Sequence, residues 1–514
     1  MRPANAGREV WPVKLTLLTC GLYLISACWH VLYGGMNSDE GFYAVAARSV
    51  WHGELPYRDF GYTQMPLFPY INGALMQLTG FGLFEQRAVN GLWGALTLLL
   101  ASIWLARRTS PAWALGLVTL FSLSAPWMYF IHLGKTYAFV GLITVAALWV
   151  FMEWTPRVSK VAALALLGTL GLGCRLPIAP YFVLLWLAAV IELPNHDWKT
   201  MLQSAAGSIV WPIIFVLPFF VAAPDAAIFW TFGFHRATLT DRNWHLPWQV
   251  VVALAPVLWL GFFGGLINLS ARRLSLHRKE LVVAAITIVA LAICLLPLGV
   301  FEEYSVPLLP PLAMITCVII WRAGQTIPWL RHPALPVAAI VINLGLSVAV
   351  QWPDLPSERR HSYSMFLPLK APAYNFALPQ RLALARHTVE RYLPANRPLI
   401  GPMIILAAET GRRVPRNLRL GAFSVTADFP PAQAQRLNLS TLPEVEAYLT
   451  NSNLPLLALS KNPYNNYSCS MPSFQNSAPF KSFVWSEFFR EYFQVAYEDD
   501  DFLLLVRRTT TPAG

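Results

Sequence analysis

The stretch N-S-D-E-G-F-Y-A-V-A-A-R, Asn37 to Arg48, runs on into G-E-L-P-Y-R-D-F-G-Y-T-Q-M-P-L-F-P-Y, Gly53 to Tyr70. It lies between two apolar runs, one over about 12–32 and one ending at Arg107-Arg108. Adjacent carboxylates, Asp39 and Glu40, follow a few residues after the first run. Charge brought toward hydrocarbon costs several kcal/mol unless it is paired or wetted, so a carboxylate pair at that boundary points to function.

Working outward, apolar runs dominate the chain. Of its 514 residues 56% are hydrophobic and 13% charged, against roughly 25% charged in an average soluble protein. Mean hydropathy is +0.47. This composition excludes an ordinary soluble enzyme and predicts a polytopic α-helical membrane protein. The net charge of +11 lies largely in short loops between apolar runs, so it argues for membrane orientation and not for nucleic-acid binding.

Spans are predicted at about 12–32, 89–108, 112–130 and 137–152. Residues 161–192 carry Arg175, Pro177 and Pro180 mid-run and read as a hairpin with Arg175 at its turn. Further spans fall at about 202–222, 250–269, 281–299, 305–321 and 334–351, eleven in all. The N-terminus and alternate loops hold 14 Lys/Arg, from Arg2, Arg8 and Lys14 through Arg107/Arg108, Arg157/Lys160, Lys199, Arg272/Arg273/Arg278/Lys279 to Arg322/Arg331. The opposite short loops hold Lys135, Arg175, Arg236 and Arg242. The richer side is cytoplasmic, which sets the N-terminus inside and the 33–88 loop and the C-terminal region outside. The first span lacks a small-residue cleavage site and reads as a retained helix.

Beyond about 352 charge, Asn, Ser and Pro return. Residues 352–375 read as a linker and 376–514 as a soluble α/β domain. That domain is predicted to hold helices at 379–392 and 442–450 and strands at 398–407, 454–459 and 501–507. Five of the six cysteines lie in or beside apolar segments, leaving Cys469 alone in this domain, so the domain has no internal disulfide. Asn438-Leu-Ser and Asn466-Tyr-Ser are glycosylation sequons only in a eukaryote.

Within the first outer loop, Phe42, Val45, Ala46 and Val50 share one face of a short helix over 41–51, expected to lie in the membrane interface plane. A second such helix is expected over 66–78. Between them Tyr57, Arg58, Asp59, Tyr62 and Gln64 set polar groups beside aromatic faces, a composition suited to a sugar.

These residues carry a family resemblance. D-E-G-F-Y-A-V-A-A-R, then P-Y-R-D-F-G-Y-T-Q-M-P-L-F-P-Y, then R-x-x-N-G-L-W-G-A-L-T from Arg87, resemble the first loop of GT-C fold glycosyltransferases. Within them the group is that of the protein O-mannosyltransferases and lipid A aminoarabinose transferases. F-E-E-Y-S-V-P-L-L-P-P-L-A at 301–313 resembles that group's entry into a late span. The resemblance implies a polyprenyl-phosphate sugar donor, an acceptor hydroxyl on lipid, glycan or protein, inverting transfer on the outer face, and Asp39 as base. A second acid common in the family's loop after the third span is missing here, where the chain reads H-L-G-K-T-Y, and this leaves a divalent metal (Mg or Mn) possible.

The chemistry needs few groups. A hydroxyl attacking an anomeric carbon must lose its proton as the bond forms, and one carboxylate suffices because a lipid phosphate leaves readily. The candidate acids are Asp39 and Glu40, the latter able to orient Asp39, bind metal or pair with Arg48. The departing phosphate needs cations: Arg58, Lys135, Arg175, Arg236 or Arg242. Tyr57, Tyr62, Gln64, His132 and Tyr304 are candidate substrate contacts. The alternative function is a transporter or flippase of lipid-linked sugars, which would show repeat symmetry or deep ionisable residues that the sequence lacks. A non-catalytic scaffold would leave the 39–64 loop without a purpose.

Overall fold

The computed structural model describes residues 13–37, 39–238, 278–295, 302–324, 377–426, 429–451, 453–461, 491–499 and 501–509. The first apolar run is α1 (Val13–Tyr33). The loop after it forms α2 (Glu40–Trp51) and α3 (Phe68–Thr79). Next come α4 (Leu83–Arg108), α5 (Pro111–Leu123), α6 (Ala125–His132), α7 (Tyr137–Glu153), α8 (Val158–Leu172), α9 (Ala179–Ile191) and α10 (Trp198–Phe215). Short helices α11 (Leu217–Ala222), α12 (Pro224–Ile228) and α13 (Phe234–Thr238) follow, then α14 (Arg278–Leu295) and α15 (Leu309–Ala323). The predicted hairpin is α8–α9, with arms of 15 and 13 residues and Arg175 in the turn.

Proline decides where the apolar runs break. The expected span at 112–130 splits into α5 and α6 at Ser124, because Pro126 cannot donate to the carbonyl four residues back and its ring clashes with it. The expected span at 202–222 breaks before Pro218 in the same way. Among the described residues one helix, α4, is long and apolar enough to cross a membrane by length and composition. The expected spans at 250–269 and 334–351, the linker, Arg242, Asn466 and Cys469 lie outside the described residues. Large apolar side chains stand exposed along several helices, among them Leu18 and Ile25 on α1, Ile191 on α9, and Leu202 and Ile214 on α10.

Ion pairs mark the far end of the helical bundle. Arg108 pairs with Glu153 at 2.8 Å, Arg322 with the buried Glu280 at 2.7 Å, and Lys160 and Lys279 share Glu192. These residues come from the loops that the charge pattern assigns to one side.

The C-terminal region opens with α16 (Leu378–Tyr392) and α17 (Ile405–Thr410). A two-residue parallel pair joins β1 (Val425–Thr426) to β2 (Ser440–Thr441), flanking α18 (Pro431–Arg436); α19 (Leu442–Thr450) follows. An antiparallel sheet of order β3-β5-β4 is built from β3 (Leu456–Ser460), β4 (Phe493–Glu498) and β5 (Phe502–Arg507). Helices expected at 379–392 and 442–450 and strands at 454–459 and 501–507 appear near their predicted bounds; β4 was not predicted. The strand expected at 398–407 does not form. Ile400 makes one bridge to Leu457, then Gly401 takes φ 131° directly before Pro402. A Cβ at Gly401 would lie 2.0 Å from the Ala458 carbonyl oxygen, so glycine permits the crossing and the chain turns into α17 instead.

This region is docked on the outer loop, and its buried apolar core is continuous with that of the bundle. The sequence predicts α2 lying on lipid, whereas the structure packs it on both sides. Phe42 through Ala47 are all buried, with α3 and α4 on one side and α17 on the other. Small residues permit this: a Cβ at Gly41 would stand 3.0 Å from the Ile405 nitrogen. Two caps cross the junction. Arg48 donates to the carbonyls of Ala407, Gly411 and Arg412 at the end of α17, and Glu409 accepts from the Leu83 N–H at the start of α4, at 2.6 Å. Trp230 donates to the Leu437 carbonyl, and Asn438, itself buried, donates to that of Tyr57.

Candidate active site

The short segment between α6 and α7, Leu133 to Thr136, is the point to which the loop, the bundle and the hairpin all connect. Asn90 on α4 donates to the carbonyls of Leu133 and Lys135, and Gln86 to that of Gly134 at 2.8 Å. The Gly134 N–H donates to Glu40 Oε1 at 2.9 Å. Backbone groups that no helix can satisfy are thereby paired with polar side chains of α4 and α2.

Glu40 is wholly buried and its oxygens are committed. Arg87 grips it in a two-pronged pair, Nε to Oε1 at 2.8 Å and Nη2 to Oε2 at 2.7 Å. Arg87 also donates to the carbonyls of Gly34 and Gly35, which tie the end of α1 to the same guanidinium. The Asn37 N–H completes the shell at Oε2. The partner expected for Glu40, Arg48, is engaged with α17 instead. Glu40 therefore holds the start of α2, and with it Asp39, in place.

Asp39 precedes α2, and its side chain is 26% exposed. Its Oδ2 is 2.8 Å from Lys135 Nζ. The ammonium also lies 3.6 Å from Glu303 Oε1, at the turn leading into α15. Lys135 is buried and flanked by two carboxylates that reach it from the first loop and from the turn into α15.

Arg175, in the α8–α9 turn, is buried beside this cluster. Its guanidinium lies over two rings, 4.3 Å from the centroid of Tyr137 and 4.6 Å from that of Tyr304. Nη1 donates to Thr136 at 3.3 Å, and Nε has no hydrogen-bond partner among the described residues. The Arg175 contacts Thr136 and Tyr304 are the chain neighbours of Lys135 and Glu303, which makes these one site. Two acids and two bases thus meet at the end of the bundle opposite the Arg108–Glu153 pair.

The other sequence candidates fall elsewhere. Arg58 is half exposed and pairs with its neighbour Asp59 at 2.7 Å. Arg236 is exposed on α13. Tyr57 is fully buried with φ 70°, its hydroxyl donating to the Gln64 carbonyl at 2.6 Å, so both residues brace the turn between α2 and α3. Tyr62 packs edge-on against Phe42, Tyr43 and Phe60 in the floor of the site. His132 is buried, donates to the Met128 carbonyl and stacks on His30 at 5.9 Å. Glu303, Thr136, Tyr137 and Tyr43 were not among the sequence candidates. The segment H-L-G-K-T-Y offered Lys135 and His132 as candidates and was marked by the acid it lacks, but nothing in the sequence says that Glu303 would meet Lys135.

No known family profile matches the chain, and no curated protein matches it in sequence. Its fold does match solved structures. ArnT from Cupriavidus metallidurans bound to undecaprenyl phosphate superposes with TM-score 0.60 at 15% identity, covering 97% of this chain and 98% of that one. The same protein in the apo state gives 0.58 at 14% identity, with 96% and 97% covered. The Archaeoglobus fulgidus oligosaccharyltransferase tethered to an acceptor peptide gives 0.45 at 12% identity, with 86% and 69% covered. The chain shares the GT-C fold of ArnT, which the first-loop resemblance implies, with 97% of its residues covered.

Proposed function

We propose that this chain is an integral-membrane glycosyltransferase that moves a sugar from a polyprenyl-phosphate donor to a hydroxyl acceptor at the outer face. The observation that carries the reading is the cluster of Asp39 with the buried Lys135, Glu303 and Arg175 at one end of the helical bundle. In ArnT, which shares this fold, a solved structure holds undecaprenyl phosphate. The exposed apolar side chains of α1, α9 and α10 suit lipid contact.

Asp39 takes the proton of the acceptor hydroxyl as its oxygen bonds to the anomeric carbon. The bond from that carbon to the phosphate oxygen breaks, and the lipid phosphate departs with the electron pair. Arg175 receives the phosphate: its Nε is unpartnered, and the two rings that sandwich it fix the plane of its donors without consuming them. Lys135 holds Asp39 in one rotamer through Oδ2. Attack from the face opposite the leaving phosphate inverts the anomeric centre.

The test is transfer from labelled polyprenyl-phosphate sugar in membranes. The Asp39→Asn variant, expressed to the wild-type level, is expected to lose about 10²–10⁴ of the rate, the range for a positioned acid-base group. Undiminished transfer by that variant removes Asp39 from the role, and no transfer by wild type with any polyprenyl-phosphate sugar removes the reading.

A further inference from the structure

Two carboxylates converging on one buried point are the start of a divalent-cation site. Mg2+ and Mn2+ take hard oxygen ligands, commonly one or two carboxylates completed by water and substrate phosphate. Asp39 and Glu303 converge in this way, but the point they share holds the Lys135 ammonium, 2.8 Å from one and 3.6 Å from the other. A divalent ion needs carboxylate oxygens at roughly 2.0–2.6 Å, where it would meet this fixed positive charge head-on. Among the described residues no group of three His, Cys, Asp or Glu side chains gathers anywhere. The donor set therefore does not fit the divalent metal that the first-loop resemblance leaves possible.

We infer that Lys135 stands in the position of a divalent cation, a covalently tethered charge that bridges Asp39 and Glu303 and makes the site independent of metal. Three features support this. The side chain is buried, and the segment that carries it is pinned through its carbonyls by Asn90 and Gln86. An ammonium supplies three donors in any direction, enough for two carboxylates. A second fixed cation, Arg175, stands beside it for an anionic substrate, so the phosphate does not need a metal to bridge it to the acids. A corollary follows: with the amine removed, the buried Glu303 and the partly exposed Asp39 face one another without the cation between them, a costly arrangement that a divalent ion would relieve.

The inference about transfer rests on the proposed glycosyltransferase reading; the inference about cation binding does not. The experiment therefore has two readouts on full-length protein in detergent. In the first, Mn2+ is titrated and free Mn2+ is followed by its electron paramagnetic resonance signal. Wild type and Lys135→Arg are expected to bind none at this site. Lys135→Ala is expected to bind one Mn2+ per chain with an affinity about tenfold or more above the detection limit that wild type fails to reach, and the Asp39→Asn/Lys135→Ala double variant to lose it. In the second, wild-type transfer is measured with and without EDTA and is expected to be equal. Wild-type Mn2+ binding abolished by Asp39→Asn overturns the inference, as does a folded Lys135→Ala that binds no better than wild type. If Lys135→Ala does not fold, wild-type transfer lost in EDTA and restored by Mn2+ overturns it, and unchanged transfer upholds it. A wild type without transfer but with the expected Mn2+ pattern overturns the glycosyltransferase reading alone.

Discussion

Arg175 and Arg58 are both outer-side arginines in the sequence, and their surroundings separate them. Arg175 is buried between the Tyr137 and Tyr304 rings with Nε unpartnered, whereas Arg58 is half exposed and already paired with Asp59. Arg175→Ala is expected to lower kcat/KM for the lipid-phosphate donor by about 10²–10³, the cost of removing one preorganised anion donor. Arg58→Ala is expected to change it less than about twofold, since exposed ion pairs contribute roughly 0–1 kcal/mol. Equal losses in the two variants would refute the assignment. Glu40 is the other residue whose surroundings decide its role. Glu40→Gln leaves the Arg87 guanidinium buried without its counter-charge and should cost roughly 3–5 kcal/mol, seen as a large fall in thermal unfolding temperature. A thermally wild-type Glu40→Gln variant with impaired transfer would instead mark Glu40 as a group that meets substrate.

At the scale of elements, α2 is the unit that couples the C-terminal region to the site. It carries Asp39 at its start and lies between α17 and the bundle helices α3 and α4. Gly41→Leu adds a side chain where even a Cβ stands 3.0 Å from the Ile405 nitrogen, so α17 must move off α2. Limited proteolysis is expected to cut the 377–461 region faster in this variant than in wild type; equal rates would show that the junction is not held there. The sheet carries a titratable marker of its own integrity. Asp501, beside Arg381 at the start of β5, is pushed up to about 6 by burial, which outweighs the nearby guanidinium. A carboxyl raised in the fold binds its proton more tightly folded than unfolded, so between about pH 4 and 6 its contribution to stability falls as pH rises. The difference in unfolding temperature between wild type and Asp501→Asn should therefore drift by a few degrees across that window and be flat above it, and a flat difference throughout would contradict the raised value.

At the scale of the molecule, the ion pairs of the described bundle helices and their turns gather at two ends. Asp39, Lys135, Arg175 and Glu303 meet at one, while Arg108, Glu153, Glu280, Arg322, Lys160 and Glu192 meet at the other. This matches the alternation of loops read from the sequence, where the lysine- and arginine-rich set is assigned to the cytoplasm. If that assignment holds, a periplasm-active reporter fused after Gly514 is expected to be active and a cytoplasm-active one silent. The reverse would invert the topology and leave the site facing the cytoplasm.

The sequence by itself determined the helical class, the approximate starts of longer helices such as α1, α2, α5, α7 and α16, and the GT-C likeness. These follow from apolar run length, proline position and the D-E motif, all of which act locally along the chain. It failed where partners are distant in sequence. It read α2 as a lipid-surface helix because one apolar face is what periodicity reports, and it could not see α17 arriving on the other side. It weighed Lys135 and Arg175 alike because both are cations at helix breaks. Only the tertiary structure decided that Glu303 turns inward to meet Lys135 and that Arg87 claims Glu40. Buried charge must find a counter-charge wherever the folded chain brings one within about 3–4 Å, and that proximity is a property of packing, not of spacing.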